Sequence, residues 1–349
     1  MSARTSPTLL SAIVLLLSTA ACKSAGSSPP AASPDDLLVE DSAGAAASPR
    51  RAPPAASSTV KAAEALLAKG DAEGARSKFE AALAENPGDA RAALGLGLSF
   101  EALGNIPAAE KAYRQAIESD ANLAEAHNNL GLVLRDQGKD ADAITEFQRA
   151  QELDPKLASA PANLALAYED AGNAEEADKA YRKAIGLAPK DAMLQANYGL
   201  FLLARGDQEG AVRSLRAGLQ AATGDRAALL AIGNGMRRAG KPDEAVRALQ
   251  GAIAADDGKP TAALLSELAL AQNAAGDGAA AKSSLQQALS LDEKAVSAHY
   301  LLGSMLAADG DLRGATEHYQ RCIALEPKGE LAARAKEKLE HIKQSQKKK

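Results

Sequence analysis

The sequence predicts an all-α solenoid of eight helix-turn-helix repeats closed by one further helix at the C-terminus. Three observations predict it. A turn glycine recurs with a period near 34 residues, an alanine follows each of these glycines at a fixed distance, and large side chains are scarce. A fixed period of this size is the mark of a repeat architecture. Aromatics make up 3% of the 349 residues and Trp is absent, which leaves little material for a thick central core. Alanine-rich helices instead approach closely and bury many thin interfaces, as a repeat array does. On length alone, two or three globular domains would be expected.

The turn glycines are Gly70, Gly104, Gly138, Gly172, Gly206, Gly240, Gly276 and Gly310, separated by 34 five times, then 36, then 34. Each is placed to end a helix, because glycine tolerates the positive φ of a helix C-terminus. Five residues later stand Ala75, Ala109, Ala143, Ala177, Ala211, Ala245, Ala281 and Ala315. Eight alanines in register mark a site where two helices nearly touch. Four residues on comes a large apolar side chain: Phe79, Tyr113, Phe147, Tyr181, Leu215, Leu249, Leu285 and Tyr319. Three further on the residue is small again: Ala82, Ala116, Ala150, Ala184, Gly218, Ala252, Ala288 and Cys322. Small, large, small at i, i+4, i+7 is one helical stripe. Pro87, Pro155, Pro189 and Pro327 end four of these second helices, since proline cannot continue them. The first helices carry Leu96-Gly97, Leu130-Gly131, Leu164-Ala165, Tyr198-Gly199, Ile232-Gly233, Leu268-Ala269 and Leu302-Gly303, with Ala62-Ala63 in the first repeat.

These positions resemble the signature of the tetratricopeptide repeat family over about residues 56–328, with repeats starting near 56, 90, 124, 158, 192, 226, 262 and 296. The resemblance implies a right-handed superhelical solenoid whose first helices line a concave groove, and a role in holding other proteins. The family's usual aromatic at the fourth position is replaced by His127, Pro161, Gln195 and His299. After the array 58–328, residues 329–349 read as a capping helix and basic tail, with Leu331, Ala335, Leu339 and Ile342 on one face. An open stack needs such a cover.

Residues 1–21 read as an export signal: Arg4, then the apolar stretch Leu9-Leu10 and Ala12–Leu17, then Ser18-Thr19-Ala20-Ala21 before Cys22. The apolar stretch is too short for a stable membrane span. The segment resembles a bacterial lipoprotein signal in a relaxed form, with Thr19 where Leu is preferred. That resemblance implies lipid attachment at Cys22 and, with Lys23 following, an outer-membrane anchor facing the periplasm. The alternative is ordinary cleavage near Ala20 and release to the periplasm. Residues 22–57 form an Ala/Ser/Pro-rich tether, expected to be disordered. A flexible chain of that length spans about 30–35 Å root-mean-square.

The formal charge of −5 is uneven. Residues 328–349 hold eight Lys/Arg against three Glu, a net of +5, which leaves −10 for residues 1–327. An acidic body lacks the positive footprint that nucleic acid requires. The basic tail either solubilises the last helix or touches an anionic surface.

In the groove implied by the family, the sixth position carries Asn129, Asn163 and Asn197, and three residues later come Leu98, Leu132, Leu166 and Leu200. A carboxamide has both donor and acceptor, so an Asn row can grip an extended peptide backbone above an apolar floor. Alternatively these Asn follow the family consensus and the Leu pack between helices. The basic clamp that some family members use for a terminal carboxylate is missing: Glu125, Ser159 and Met193 hold the second positions and no repeat has Arg at the sixth. Arg135, Arg237, Arg238, Glu101, Glu169 and Asp170 read as a solvated rim of mixed sign.

No motif carries chemistry. Gly235–Lys241 superficially spells a phosphate loop, but Pro242 stands where Ser or Thr would hold Mg²⁺ and no strand precedes it. The histidines 127, 299, 318 and 341 are scattered, without the spacing of a zinc site. Cys322 is the only cysteine besides Cys22, so no disulfide framework is expected. No catalytic residue, metal or cofactor is expected. The expected function is a non-enzymatic scaffold in the bacterial cell envelope, of a kind that serves assembly of a secretion, pilus or motility complex. It would bind an envelope protein or peptide in its groove; the sequence does not reveal the oligomeric state. Alternatives are a passive spacer between membrane and cell wall, or a regulatory subunit of an envelope enzyme.

Repeats five to seven lack an aromatic in the second helix and are predicted to be the softest stretch. Hydrogen exchange is expected to show lower protection over residues 192–295 than over the flanking repeats. Uniform protection would remove the aromatic contribution as the cause.

Overall fold

The computed structural model describes residues 57–255 and 258–347. The expected export signal, Cys22 and nearly all of the tether lie outside the described residues. Among the described residues there are seventeen helices and no strand. In chain order they are α1 (Ser58–Ala68), α2 (Ala72–Glu85), α3 (Ala90–Ala102), α4 (Ile106–Ser119), α5 (Ala124–Asp136) and α6 (Asp140–Leu153). Next come α7 (Ser159–Asp170), α8 (Ala174–Leu187), α9 (Ala192–Ala204), α10 (Gln208–Ala221), α11 (Arg226–Arg238) and α12 (Pro242–Ala254). The last are α13 (Ala262–Ala274), α14 (Gly278–Leu291), α15 (Val296–Ala308), α16 (Leu312–Leu325) and α17 (Glu330–Lys347). The chain forms two compact units that divide within α7, after Ala167. In the first, α1–α2, α3–α4 and α5–α6 pack as pairs; in the second, α9–α10, α11–α12, α13–α14 and α15–α16 do so.

Each repeat turns on two residues. Gly70 ends α1 at φ +81°, and the other seven turn glycines share a positive φ. The Gly70 N–H donates to Leu67 O and the Asp71 N–H to Leu66 O, satisfying carbonyls that a helix end leaves open. The bond from the residue after the glycine recurs in all eight turns, from Asn105 to Phe100 O through Asp311 to Leu306 O. That same residue then starts the next helix. Asp71, Asn105, Asp207, Asp277 and Asp311 each accept a backbone N–H three residues on. Such a cap stabilises a helix by about 0.5–2 kcal/mol.

The stripe read from the sequence forms the seam within each pair. The eight alanines are fully buried, and Phe79, Tyr113, Phe147, Tyr181, Leu215, Leu249, Leu285 and Tyr319 are at most 1% exposed. The large residue lies on the small residue of the first helix. A Cβ on Gly97 would overlap the Tyr113 ring, and one on Gly131 would stand 2.6 Å from the Phe147 ring. Where the large residue is leucine the contact persists: a Cβ on Gly199 or Gly233 would stand 2.6 Å from Leu215 or Leu249. The alanine beyond closes the approach, with Ala211 O 3.3 Å from where a Gly199 Cβ would sit.

The longer spacing between the sixth and seventh repeats falls in the connection 255–261, which ends in the Thr261 cap of α13. At the C-terminus α17 lays Ala335, Leu339 and Ile342 against Tyr319 and Cys322 of α16. Ala332 is fully buried and Leu331 only partly, so the covering face is turned by one residue from that expected at its start.

Replacing Gly131 by Ala is expected to lower stability by about 1–3 kcal/mol despite alanine's better helix propensity, because the Phe147 ring must move. Gly186→Ala, on α8 with no atom within 4 Å of the added carbon, is expected to be neutral or stabilising. Urea denaturation of both variants checks the contrast.

Candidate binding surface on the first helices

In the first unit, Asn129 is 6% exposed on α5. Asn128 Nδ2 donates to Asn129 Oδ1 at 3.3 Å, and Asn163 Nδ2 on α7 donates to Asn128 Oδ1 at 3.0 Å. The amide that joins the two helices is therefore Asn128, which the 34-residue register did not single out. Its one signal in the sequence is the Asn128-Asn129 doublet. Asn163, Leu132 and Leu166 are half-buried, whereas Leu98 is buried on α3. In the second unit, Asn197 and Leu200 are half-buried on α9. Leu200 reaches across to α11, 3.3 Å from where a Cβ on Gly235 would sit.

Three of the four fourth-position residues that replace the family aromatic form a second set of contacts, the exception being buried Pro161. His127 places Nδ1 2.6 Å from Glu146 Oε2 and Nε2 3.2 Å from Ala121 O. Gln195 donates from Nε2 to Pro189 O at 3.2 Å and accepts the Ser214 hydroxyl at 2.8 Å. His299 meets Glu293 O through Nε2 at 3.0 Å and His318 Nδ1 through Nδ1 at 2.9 Å. Each clasp ties the preceding connection to the second helix of its own repeat. Buried polar side chains bonded at both ends avoid the cost of an unpaired group. His299 and His318, read from the sequence as scattered, are thus neighbours. The carbonyl of Glu293 takes the Nε2 proton, which leaves His299 Nδ1 to accept from His318. Burial and His299 lower the pKa of His318.

The rim is corrected at two positions. Glu101 is 8% exposed and accepts the Tyr113 hydroxyl. Tyr113 lies under Gly97, so its hydroxyl emerges beneath the last turn of α3 and draws the carboxyl inward. Burial pushes that carboxyl up to about 7, opposed by the tyrosine hydrogen bond and helped by nearby Asp136. Arg135 is enclosed as well, its side chain 9% exposed. Glu169, more open, accepts the Tyr181 hydroxyl at 2.9 Å. Arg238 and Asp170 are exposed, as expected of a rim.

Gly235–Arg238 is helical, and Gly240 at φ +68° belongs to the turn, with the Lys241 N–H donating to Met236 O. A phosphate cradle needs such amides free at the start of a helix. Among the described residues no group of three His, Cys, Asp or Glu could hold a metal ion. No helix there is long and apolar enough to cross a membrane.

Models of the tetratricopeptide repeat match residues 60–124, 99–158, 159–191 and 266–330, together more than half of the chain. The chain belongs to the tetratricopeptide repeat family. No curated protein sequence matches this repeat protein. Among solved structures it is similar to a chain of the APC/C hetero-tetramer Cut9–Hcn1, with TM-score 0.56 and 17% identity over 81% of this chain and 56% of that one. It is also similar to yeast Tom70, with TM-score 0.52 and 16% identity over 83% of this chain and 64% of that one. A tetratricopeptide repeat protein from Parabacteroides merdae gives TM-score 0.50 and 17% identity, covering 71% of this chain and 97% of that one. The chain thus spans less than two thirds of the first two. At these identities the likeness establishes the fold.

Two pH dependences of opposite sign follow. Glu101 holds its proton more tightly folded than unfolded, so its contribution is full below pH 4.5 and is lost as pH rises through about 7. Glu101→Gln is expected to flatten that dependence and to raise stability at pH 8 by on the order of 2–3 kcal/mol. His318 has a lowered folded pKa, so stability around it is full above pH 6.5 and falls as pH drops below that. Segment-resolved unfolding at pH 5 and pH 8 is expected to show the α3–α4 pair firmer, and the α15–α16 pair looser, at the lower pH.

Proposed function

We infer that this chain, built from tetratricopeptide repeats, works through protein–protein interaction. We propose that it is a non-enzymatic scaffold of the bacterial cell envelope, held to a membrane by lipid on Cys22. The first helices of its repeats hold an extended segment of a protein partner there. The observation that carries this reading is the pairing of carboxamide with half-buried leucine on those helices. Asn163 lies with Leu132 and Leu166 in one unit, and Asn197 with Leu200 in the other. Leucine supplies area to bury, and an amide pairs with peptide N–H and C=O whatever the sequence. Assembly of a secretion, pilus or motility complex is a setting that suits a tethered scaffold of this kind. The tether of residues 22–57 keeps the repeats clear of the membrane.

Two measurements test the two halves separately. Cys22→Ala is expected to abolish fatty-acid labelling and move the protein from the membrane to the soluble fraction. A photo-crosslinking residue at Leu166 or Leu200 is expected to trap a partner in cells. Asn163→Ala with Asn197→Ala is expected to weaken that trapping about tenfold, the loss of one or two hydrogen bonds. Trapping unaltered by the double substitution would refute the polypeptide-binding surface.

A further inference from the structure

The last repeat alone closes its fourth-position clasp on two imidazoles. At the same two places, nineteen residues apart, His127 meets the Glu146 carboxylate and Gln195 accepts the Ser214 hydroxyl. His299 of α15 meets His318 of α16, Nδ1 to Nδ1, at 2.9 Å. A carboxylate or a hydroxyl thus suffices to close the fold, which has no need of a second ring. The ring centroids stand 5.2 Å apart. The excess over the nitrogen–nitrogen distance is what the radii of two imidazoles account for, so both centroids and both Nδ1 atoms lie close to one line. The two ring nitrogens face each other head-on. His299 is held from behind, its Nε2 3.0 Å from Glu293 O. A carbonyl in that place keeps the proton on Nε2 and leaves Nδ1 as the ligand, the arrangement found behind metal-bound histidines. His299 is 9% exposed, whereas His318 is half-exposed and opens the pair to solvent. The charge of Glu317 acts on His318 and favours a cation there.

We propose that His299 and His318 form a two-coordinate site for copper(I), bound between the two Nδ1 atoms. The site neither uses nor requires the polypeptide-binding surface above. Imidazole is a good ligand for copper, and an ion with a filled d shell accepts two donors in a line. Tetrahedral zinc needs donors that converge at an angle, which head-on rings do not offer. Metal–nitrogen bonds of about 2 Å place the two nitrogens about 4 Å apart, so the rings must part by about 1 Å. Half-exposed His318 supplies that movement, while His299 keeps its bond to Glu293 O. No proton is released. Before binding, the proton between the rings sits on His318 Nδ1. On binding it passes through solvent to His318 Nε2, and both rings stay neutral.

Thiols compete for copper(I), so the parent for the test is the full chain with Cys22→Ala and Cys322→Ala. Alanine is what six other repeats carry at the latter place. Copper(I) is titrated anaerobically against a chromophoric chelator. One equivalent is expected to bind, and X-ray absorption is expected to show two nitrogen neighbours in linear coordination. The control transplants the clasp of the fifth repeat: His299→Gln with His318→Ser re-creates the Gln195–Ser214 pair. This variant is expected to melt with the parent yet bind copper(I) more than about a hundredfold more weakly, since even a group behind a ligand is worth about 10- to 100-fold. Silver(I), an air-stable analogue, gives a reading that needs no histidine substitution. Nitrogen NMR of the parent is expected to show the Nδ1 signals of His299 and His318 coupled to silver, and those of His127 and His341 unchanged. Equal copper(I) affinity in parent and variant overturns the site. Absence of silver coupling at these two nitrogens overturns it too, and decides alone if the variant does not fold. Zinc bound there as tightly as copper(I) overturns the linear assignment.

Discussion

The structure depends on how closely the two helices of a repeat approach. A large residue on the second helix lies directly on a glycine or alanine of the first, Tyr113 on Gly97 and Phe147 on Gly131. That contact needs a small residue at one fixed place and a large one at another. A buried Phe or Leu contributes about 1.5–3 kcal/mol, comparable to or more than the helix caps at each turn. The scarcity of aromatics follows from it. One large side chain fills the seam of a pair, and the remaining contact is made by alanines that let the backbones come near.

A thin seam has a consequence for polar groups. With no deep core, side chains of the first helices lie close to the surface yet are covered by the next repeat. Glu101, His127, Asn129, Gln195 and His299 are all under 10% exposed. All but Asn129, which accepts from its neighbour Asn128, are bonded at a fixed offset in the sequence, to a tyrosine hydroxyl, to a preceding carbonyl or to the facing second helix. Repetition makes one solution available to every copy. The clasp of His127 to the carbonyl six residues back is repeated by Gln195 and His299 with different chemistry on the other side. At His127, Gln195 and His299 the loss of the aromatic therefore exchanges apolar contact for hydrogen bonds, whereas the buried Pro161 remains apolar.

The same construction suits the protein–protein interaction that tetratricopeptide repeats mediate. Titratable groups meet across the two helices of a repeat as well. Glu101 meets Tyr113, His299 meets His318, and Glu146 meets His127.

The sequence by itself determined the helices, their turns and the seam between them. Those features are local or strictly periodic: a turn glycine and a small-large-small stripe recur in register. The tertiary structure decided which polar residues are buried and what they bond. Glu101 reads as a solvated acid until Tyr113, seated on Gly97, sends its hydroxyl up beneath it. Asn128 is an unremarked neighbour of Asn129 until α7 brings Asn163 to it. His299 and His318 are nineteen residues apart in the chain yet share one hydrogen bond. In each case the partner lies on another helix, and its reach depends on helix rotation and separation. Those are set by the packing of the whole pair, which no local pattern specifies.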